Sequence, residues 1–207
     1  MKTNYVIGWI LLLTSLVLTS TGAYAQESKP GLVLNIGLTN GYNLTSGNSV
    51  VKNYYSIGGR INLIFNDKWF VGYTQNGSIA PGNLVKNAGF EKSRIYEYAL
   101  SGGRKWNLGA QTYLRGNLNA GISEFKVKTG SGSEWDDDFS DISTSAATSY
   151  LAGAETAIGF RLNKYLAIEA GMYYRRYFKN DQLIIATGDL NSLGVTLSLA
   201  GNLNLTK

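Results

Sequence analysis

Between Tyr54 and Asn76 the chain alternates with a period of two, the spacing of a strand whose successive side chains point to opposite faces. Tyr55, Ile57, Ile61, Leu63 and Phe65 share one face, and Ser56, Gly58, Arg60 and Asn62 share the other. After Asn66-Asp67-Lys68 the pattern resumes, with Trp69, Val71 and Tyr73 opposed to Phe70, Gly72, Thr74 and Asn76. This predicts a hairpin with one apolar and one mostly polar face. A soluble sheet turns its apolar face inward, but here the polar face carries a mid-strand arginine among glycines and asparagines. Function depends on which face is the inside.

The same alternation recurs along the chain. A first strand begins at Gly31 and carries Leu32, Leu34, Ile36 and Leu38 on one face, and the polar stretch Asn40 to Asn53 reads as a loop. The hairpin supplies the second and third strands, and a long loop follows from about Gly77 to Ser93. A fourth strand over Arg94 to Trp106 and a fifth running to about Lys128 flank the tight turn Asn107-Leu108-Gly109. After a loop over Thr129 to Ala146, strands over Ala147–Leu162 and Tyr165–Phe178 meet at Asn163-Lys164. A last loop, Lys179 to Asn191, precedes an eighth strand running to Leu205. Connections therefore alternate long and short, as in an all-β, eight-stranded, antiparallel up-and-down transmembrane barrel.

The first residues read as a separate object. Lys2 gives a positive start, Val6 to Leu18 is mainly apolar, and Ala23-Tyr24-Ala25 is a small-x-small cleavage site. The expected organisation is a signal peptide over 1–25 and a barrel domain over 26–207. The chain has no cysteine, so disulfides and thiolate metal sites are excluded. It has no histidine either, which removes Ser-His-Asp catalysis and imidazole ligation. No enzyme activity, cofactor or metal is expected. The formal charge of +5 comes from scattered basic residues rather than a stripe, which argues against nucleic acid as a partner.

The middles of the apolar faces carry no Asp, Glu, Lys or Arg, whereas the opposite faces hold Arg60, Glu97, Arg115, Glu155, Glu169 and Arg175. An eight-stranded interior is just wide enough for side chains, and small and polar groups fill it better than eight rows of Leu, Ile and Tyr. The expected arrangement is charged faces inside, as paired charges forming a plug, and apolar faces on lipid. Phe65, Trp69, Trp106, Phe160 and Tyr165 lie beside the short turns and read as one aromatic girdle. Tyr54, Tyr55, Tyr96, Tyr150, Tyr174 and Tyr177 lie near the long loops and read as the other.

In its signal peptide, alternation, girdles and loop lengths, the chain resembles the small eight-stranded outer-membrane barrels of the OmpX, OmpW and OmpA transmembrane-domain type. The resemblance spans about Gly31 to Leu205 and rests on architecture rather than on a short motif. It implies an integral protein of a Gram-negative outer membrane with both termini periplasmic. The implied partners are outer-membrane lipid, the insertion machinery and an extracellular ligand met through four loops. The role implied is structural, adhesive or surface-interacting. The chain departs from the pattern by ending Asn204-Leu205-Thr206-Lys207 instead of in an aromatic residue. Two alternatives stay open: an OmpW-like conduit for small or hydrophobic solutes, and a soluble periplasmic lipocalin-like barrel with its faces inverted. The acidic run Glu134 to Asp138, with Asp141, is a solvated loop or a weak cation site.

Overall fold

Followed once around through paired residues, a path leaving the first strand at Leu34 passes Leu63, Val71, Gly102, Leu118, Ala154, Tyr174 and Leu193 and returns at Leu44, ten residues along. That displacement is the stagger that tilts the strands and closes the sheet. The computed structural model describes residues 31–79, 83–86, 92–128, 147–178 and 185–206. Its strands are β1 (Leu32–Thr45), β2 (Tyr54–Phe65), β3 (Trp69–Ile79), β4 (Lys92–Asn107), β5 (Thr112–Lys128), β6 (Ala147–Arg161), β7 (Leu166–Phe178) and β8 (Ser192–Asn204). They form a closed barrel in sequence order, each antiparallel to its neighbours, with β1 paired to β8. The expected signal peptide and the acidic run at 134–141 lie outside the described residues.

The alternating pattern decides which side is out. Ile36, Leu38, Ile57, Leu100, Leu118, Leu197 and Leu199 point outward and are exposed, while Arg60, Glu97, Arg115 and Glu169 are buried inside. The inverted, lipocalin-like arrangement would require the leucines to pack centrally, and they do not. Large side chains fit the lumen because glycines stand opposite them. Gly159 pairs with Tyr113 across β5 and β6, and Gly194 pairs with Tyr173 across β7 and β8. A Cβ on either glycine would overlap the facing tyrosine ring.

β1 differs from expectation. Asn40 to Thr45, expected in a loop, continue β1: Asn40 to Asn43 pair with both β2 and β8, and Leu44 and Thr45 with β8. The asparagines and glycine that resemble a loop include inward positions: Asn43 is buried, donating to Ser56 Oγ at 3.1 Å, and Gly41 packs beside Ser56 and Tyr173. In a barrel with a polar interior, such residues are ordinary strand residues. The end of the last long connection also forms a short helix, α1 (Thr187–Leu190).

At the hairpin end, Asn66 and Asp67 both adopt φ of 52°, and Lys68 N donates to Phe65 O at 3.0 Å. Two successive positive φ angles match the twist of the flanking strands, and Asn and Asp tolerate them better than most residues. Filling a tyrosine's space should be costly. Gly194→Val is expected to destabilise the barrel by about 1–3 kcal/mol, read as a lower urea midpoint in lipid vesicles. Gly47→Val, where nothing lies near the position a Cβ would take, is expected to leave that midpoint unchanged within error.

Candidate functional site

The interior is stacked in three polar tiers under an apolar cap. The middle tier centres on Glu169 of β7, which is 3 % exposed. Its Oε2 lies 2.6 Å from Arg60 Nη2 and accepts from Arg115 Nε at 3.1 Å, while Tyr113 Oη donates to Oε1 at 2.7 Å. Arg115 Nη2 also donates to Glu155 at 2.5 Å, and its Nη1 donates to Asn117 at 3.2 Å. Four charges from β2, β5, β6 and β7 thus meet as two positive and two negative groups. The Arg60 contact is electrostatic rather than a directed hydrogen bond, and its Nε and Nη1 have no hydrogen-bond partner among the described residues.

Above it, Glu97 of β4 pairs with Arg175 of β7 and accepts a hydrogen bond from Tyr177 Oη. The Arg175 guanidinium stacks 4.1 Å from the centre of the Tyr173 ring, and Tyr173 Oη donates to Asn43 at 2.5 Å. Between these tiers lies a cavity of about 20 Å³ bordered by Thr39, Arg60, Asn76, Asn119 and Thr196. That is room for about one water molecule, and water there would meet Arg60's free N–H groups.

The lowest tier forms around the β2–β3 turn. Asp67 accepts from Lys105 at 2.5 Å, from Asn107 at 2.7 Å and from Arg161 at 3.2 Å, tying the turn to β4 and β6. Arg161 also donates to Ala110 O at 2.9 Å. Burial pushes the Asp67 carboxyl up, but the Lys105 ammonium, the hydrogen bonds from Lys105 and Asn107, and Arg161 outweigh it and hold the group below the usual carboxylate range.

The cap closes the end that carries the long connections. Val51, Leu84, Val85, Ile185 and Leu190 pack with Tyr54, Ile95, Phe125, Val127 and Tyr177 in one buried apolar cluster. Backbone bonds splice the first two connections: Lys52 N donates to Leu84 O at 2.8 Å and Lys86 N to Val50 O at 2.7 Å. Ser49 Oγ donates to Asp189 O at 2.7 Å, joining α1.

Arg60, Glu97, Arg115, Glu155, Glu169 and Arg175 face the interior, and the pairings are Arg60 with Glu169, Arg115 with both Glu155 and Glu169, and Arg175 with Glu97. Phe65, Trp69, Trp106, Phe160 and Tyr165 all point outward beside the short turns. Tyr55, Tyr150 and Tyr174 are exposed near the other end, but Tyr54 and Tyr177 are only 3 % exposed and point inward. Position near a loop does not set direction; the parity of the strand does, and both tyrosines sit on the inward parity. Sequence reasoning also missed Tyr113, Asp67 and the apolar cap. Tyr113 had a usable signal, its place on the same strand parity as Arg115. The cap had none, because Val51 and Leu84 lie in connections without periodicity.

Among solved structures, Neisserial surface protein A superposes with a TM-score of 0.56 at 14% identity, covering 84% of this chain and 97% of that one. OprG of Pseudomonas aeruginosa gives 0.53 at 12% identity, covering 86% and 98%. Ail, the attachment invasion locus protein of Yersinia pestis, gives 0.51 at 16% identity, covering 84% and 100%. The chain has the fold of the small eight-stranded outer-membrane barrels. Neither a protein-family model nor a curated protein matches the sequence.

Two substitutions probe the tiers. Glu169→Gln leaves Arg60 and Arg115 sharing less negative charge than they need, and is expected to cost about 3–5 kcal/mol of unfolding free energy in vesicles. Asp67→Asn should act differently with pH. A depressed carboxyl contributes stability at pH above its unfolded-state value and loses it as pH falls through the lower folded-state value. The urea midpoint of Asp67→Asn is therefore expected below that of the unsubstituted chain at neutral pH, with the gap closing only under strongly acid conditions.

Proposed function

We propose that this protein is a non-enzymatic integral barrel of a Gram-negative outer membrane, plugged by its own charges, with both termini on the periplasmic side and the long connections outside. The observation that carries the reading is the inversion of faces: buried Arg, Glu and Asn inside, and a continuous exposed surface of Leu, Ile and Val outside. Water makes such a surface costly, whereas lipid makes it favourable, and a closed barrel satisfies every strand in hydrocarbon. The outward aromatics at the two ends then lie at the two headgroup regions.

Within that membrane the tiers support a structural plug rather than a conduit. A conduit for hydrophobic solutes needs an apolar passage, but the upper lumen holds Glu97 and Arg175 and is roofed by packed side chains. The surface-interaction role rests on the connections, of which residues 46–53, residues 83–86 and α1 are joined by hydrogen bonds. Ail has been solved in complex with the heparin analogue sucrose octasulfate. A polyanionic surface ligand is accordingly one class to screen, alongside protein ligands.

Lipid contact has a direct test. Leu118, on β5, is 70 % exposed and about half-way between the aromatic ends. Leu118→Arg is expected to cost about 2–4 kcal/mol of folding free energy in a bilayer, because a charge at the midplane of a barrel's lipid face costs that much. An unchanged unfolding midpoint in vesicles would contradict lipid contact at this face. The unsubstituted protein is expected in the membrane fraction, migrating faster on gels before heating than after, and without steady conductance across a planar bilayer. Recovery in the detergent-free soluble fraction would overturn the reading.

A further inference from the structure

Two carboxamides stand on the outward faces of β1 and β3, the strands that flank β2, where the membrane reading puts hydrocarbon. Asn40 of β1 and Gln75 of β3 are both exposed, and neither makes a side-chain hydrogen bond among the described residues. A buried amide without a partner costs several kcal/mol in hydrocarbon, since lipid tails offer neither donor nor acceptor. Thr156, outward on β6, has a hydroxyl that its own strand's backbone can satisfy.

The register sets these two amides level. Asn40 pairs with Ile57, and Gln75 pairs with Gly59, two residues lower on β2. Untilted strands would leave Asn40 nearer the long connections than Gln75. The stagger of ten residues per circuit of eight strands lifts β3 by about two and a half residues relative to β1 along paired positions. Asn40 and Gln75 therefore lie at nearly one depth, on either side of β2. Between them the surface is hollowed by about 500 Å³ where Gly59 and Gly77 carry no side chain, bordered by Leu38, Ile57, Ile61, Tyr73 and Tyr96.

We infer that the β1–β3 face is a self-association surface on which a second copy of this chain pairs Asn40 with Gln75 and Gln75 with Asn40. This rests on the membrane reading above. Copies inserted the same way up relate by a two-fold axis along the membrane normal, which keeps every residue at its own depth. An axis through Gly59 brings β1 of one copy against β3 of the other. Each carboxamide then meets one at its own level, and each is both donor and acceptor. Leu38 meets Tyr73 of the other copy in the same way. Barrels are convex, so the tangent strand needs small residues for the flanking strands to touch, and Gly59 occupies that position. A Cβ there meets only the Gly37 carbonyl at 3.5 Å, so the site accepts a small side chain without strain.

The chain has no cysteine, so one introduced thiol reports the contact. Gly59→Cys places it on the axis, and Ala154→Cys places it at similar depth on β6, four strands away and opposite β2. Both full-length variants are reconstituted in phosphatidylcholine vesicles at low protein density and oxidised with copper phenanthroline. The expected result is a disulfide-linked dimer from Gly59→Cys at least tenfold more abundant than from Ala154→Cys. Adding Asn40→Leu and Gln75→Leu to Gly59→Cys is expected to reduce it at least tenfold. Equal cross-linking of the two thiols, or a dimer indifferent to the leucines, overturns the inference. The heat-dependent gel shift of the same samples separates the two failures: variants that insert without pairing sink only the dimer, and a chain that never inserts sinks the membrane reading and the dimer with it.

Discussion

Glu169 holds the cross-section of the barrel. One carboxylate on β7 is contacted by Arg60 from β2 and by Arg115 and Tyr113 from β5, so three strands far apart around the sheet meet at one group. Each member is buried, and each would be costly alone. Their mutual presence is what permits charge in a lumen with almost no water. At this level the interior is held by paired charges and hydrogen bonds, and the apolar cluster lies at the capped end.

That inversion governs the rest of the molecule. Because the inside is polar and narrow, glycines must face the large rings, as Gly159 does Tyr113 and Gly194 does Tyr173. Because the outside is apolar, outward polar groups become informative. Arg104 sits among Trp69 and Trp106, its guanidinium 5.1 and 5.6 Å from their ring centres, beside the short turns where a cation finds headgroups and water. Asn40 and Gln75, lying deeper, have no such outlet, and that is the reason they point to a partner.

The strands were legible because period two is independent of context. Tyr54 to Phe65 and Trp69 onward match the observed β2 and β3, and Arg60, Glu97, Arg115, Glu169 and Arg175, read on the inward parity, are buried. The pairings among those charges were not legible, since they depend on a register fixed only when the sheet closes. β1 runs past its expected end because a polar, glycine-containing strand facing a polar lumen has a loop's composition. Nearness to loops misplaces Tyr54 and Tyr177, although their parity already points inward. Asp67 reads in the sequence only as a turn residue; its clamp on Lys105 and Arg161 appears once β4 and β6 are brought beside the turn.

The central claim is that hydrocarbon surrounds the leucine-bearing faces and protein charges fill the inside. Spin labels at single-cysteine positions 117, 118, 119, 120 and 122 of β5, in lipid vesicles, measure it most directly; Gly121 is passed over because a Cβ there would overlap the Tyr98 carbonyl. The account predicts strong relaxation by oxygen at 118, 120 and 122, and weak relaxation by both oxygen and a water-soluble nickel chelate at 117 and 119. The opposite phase, or strong relaxation by the nickel chelate at 118, 120 and 122, would contradict it.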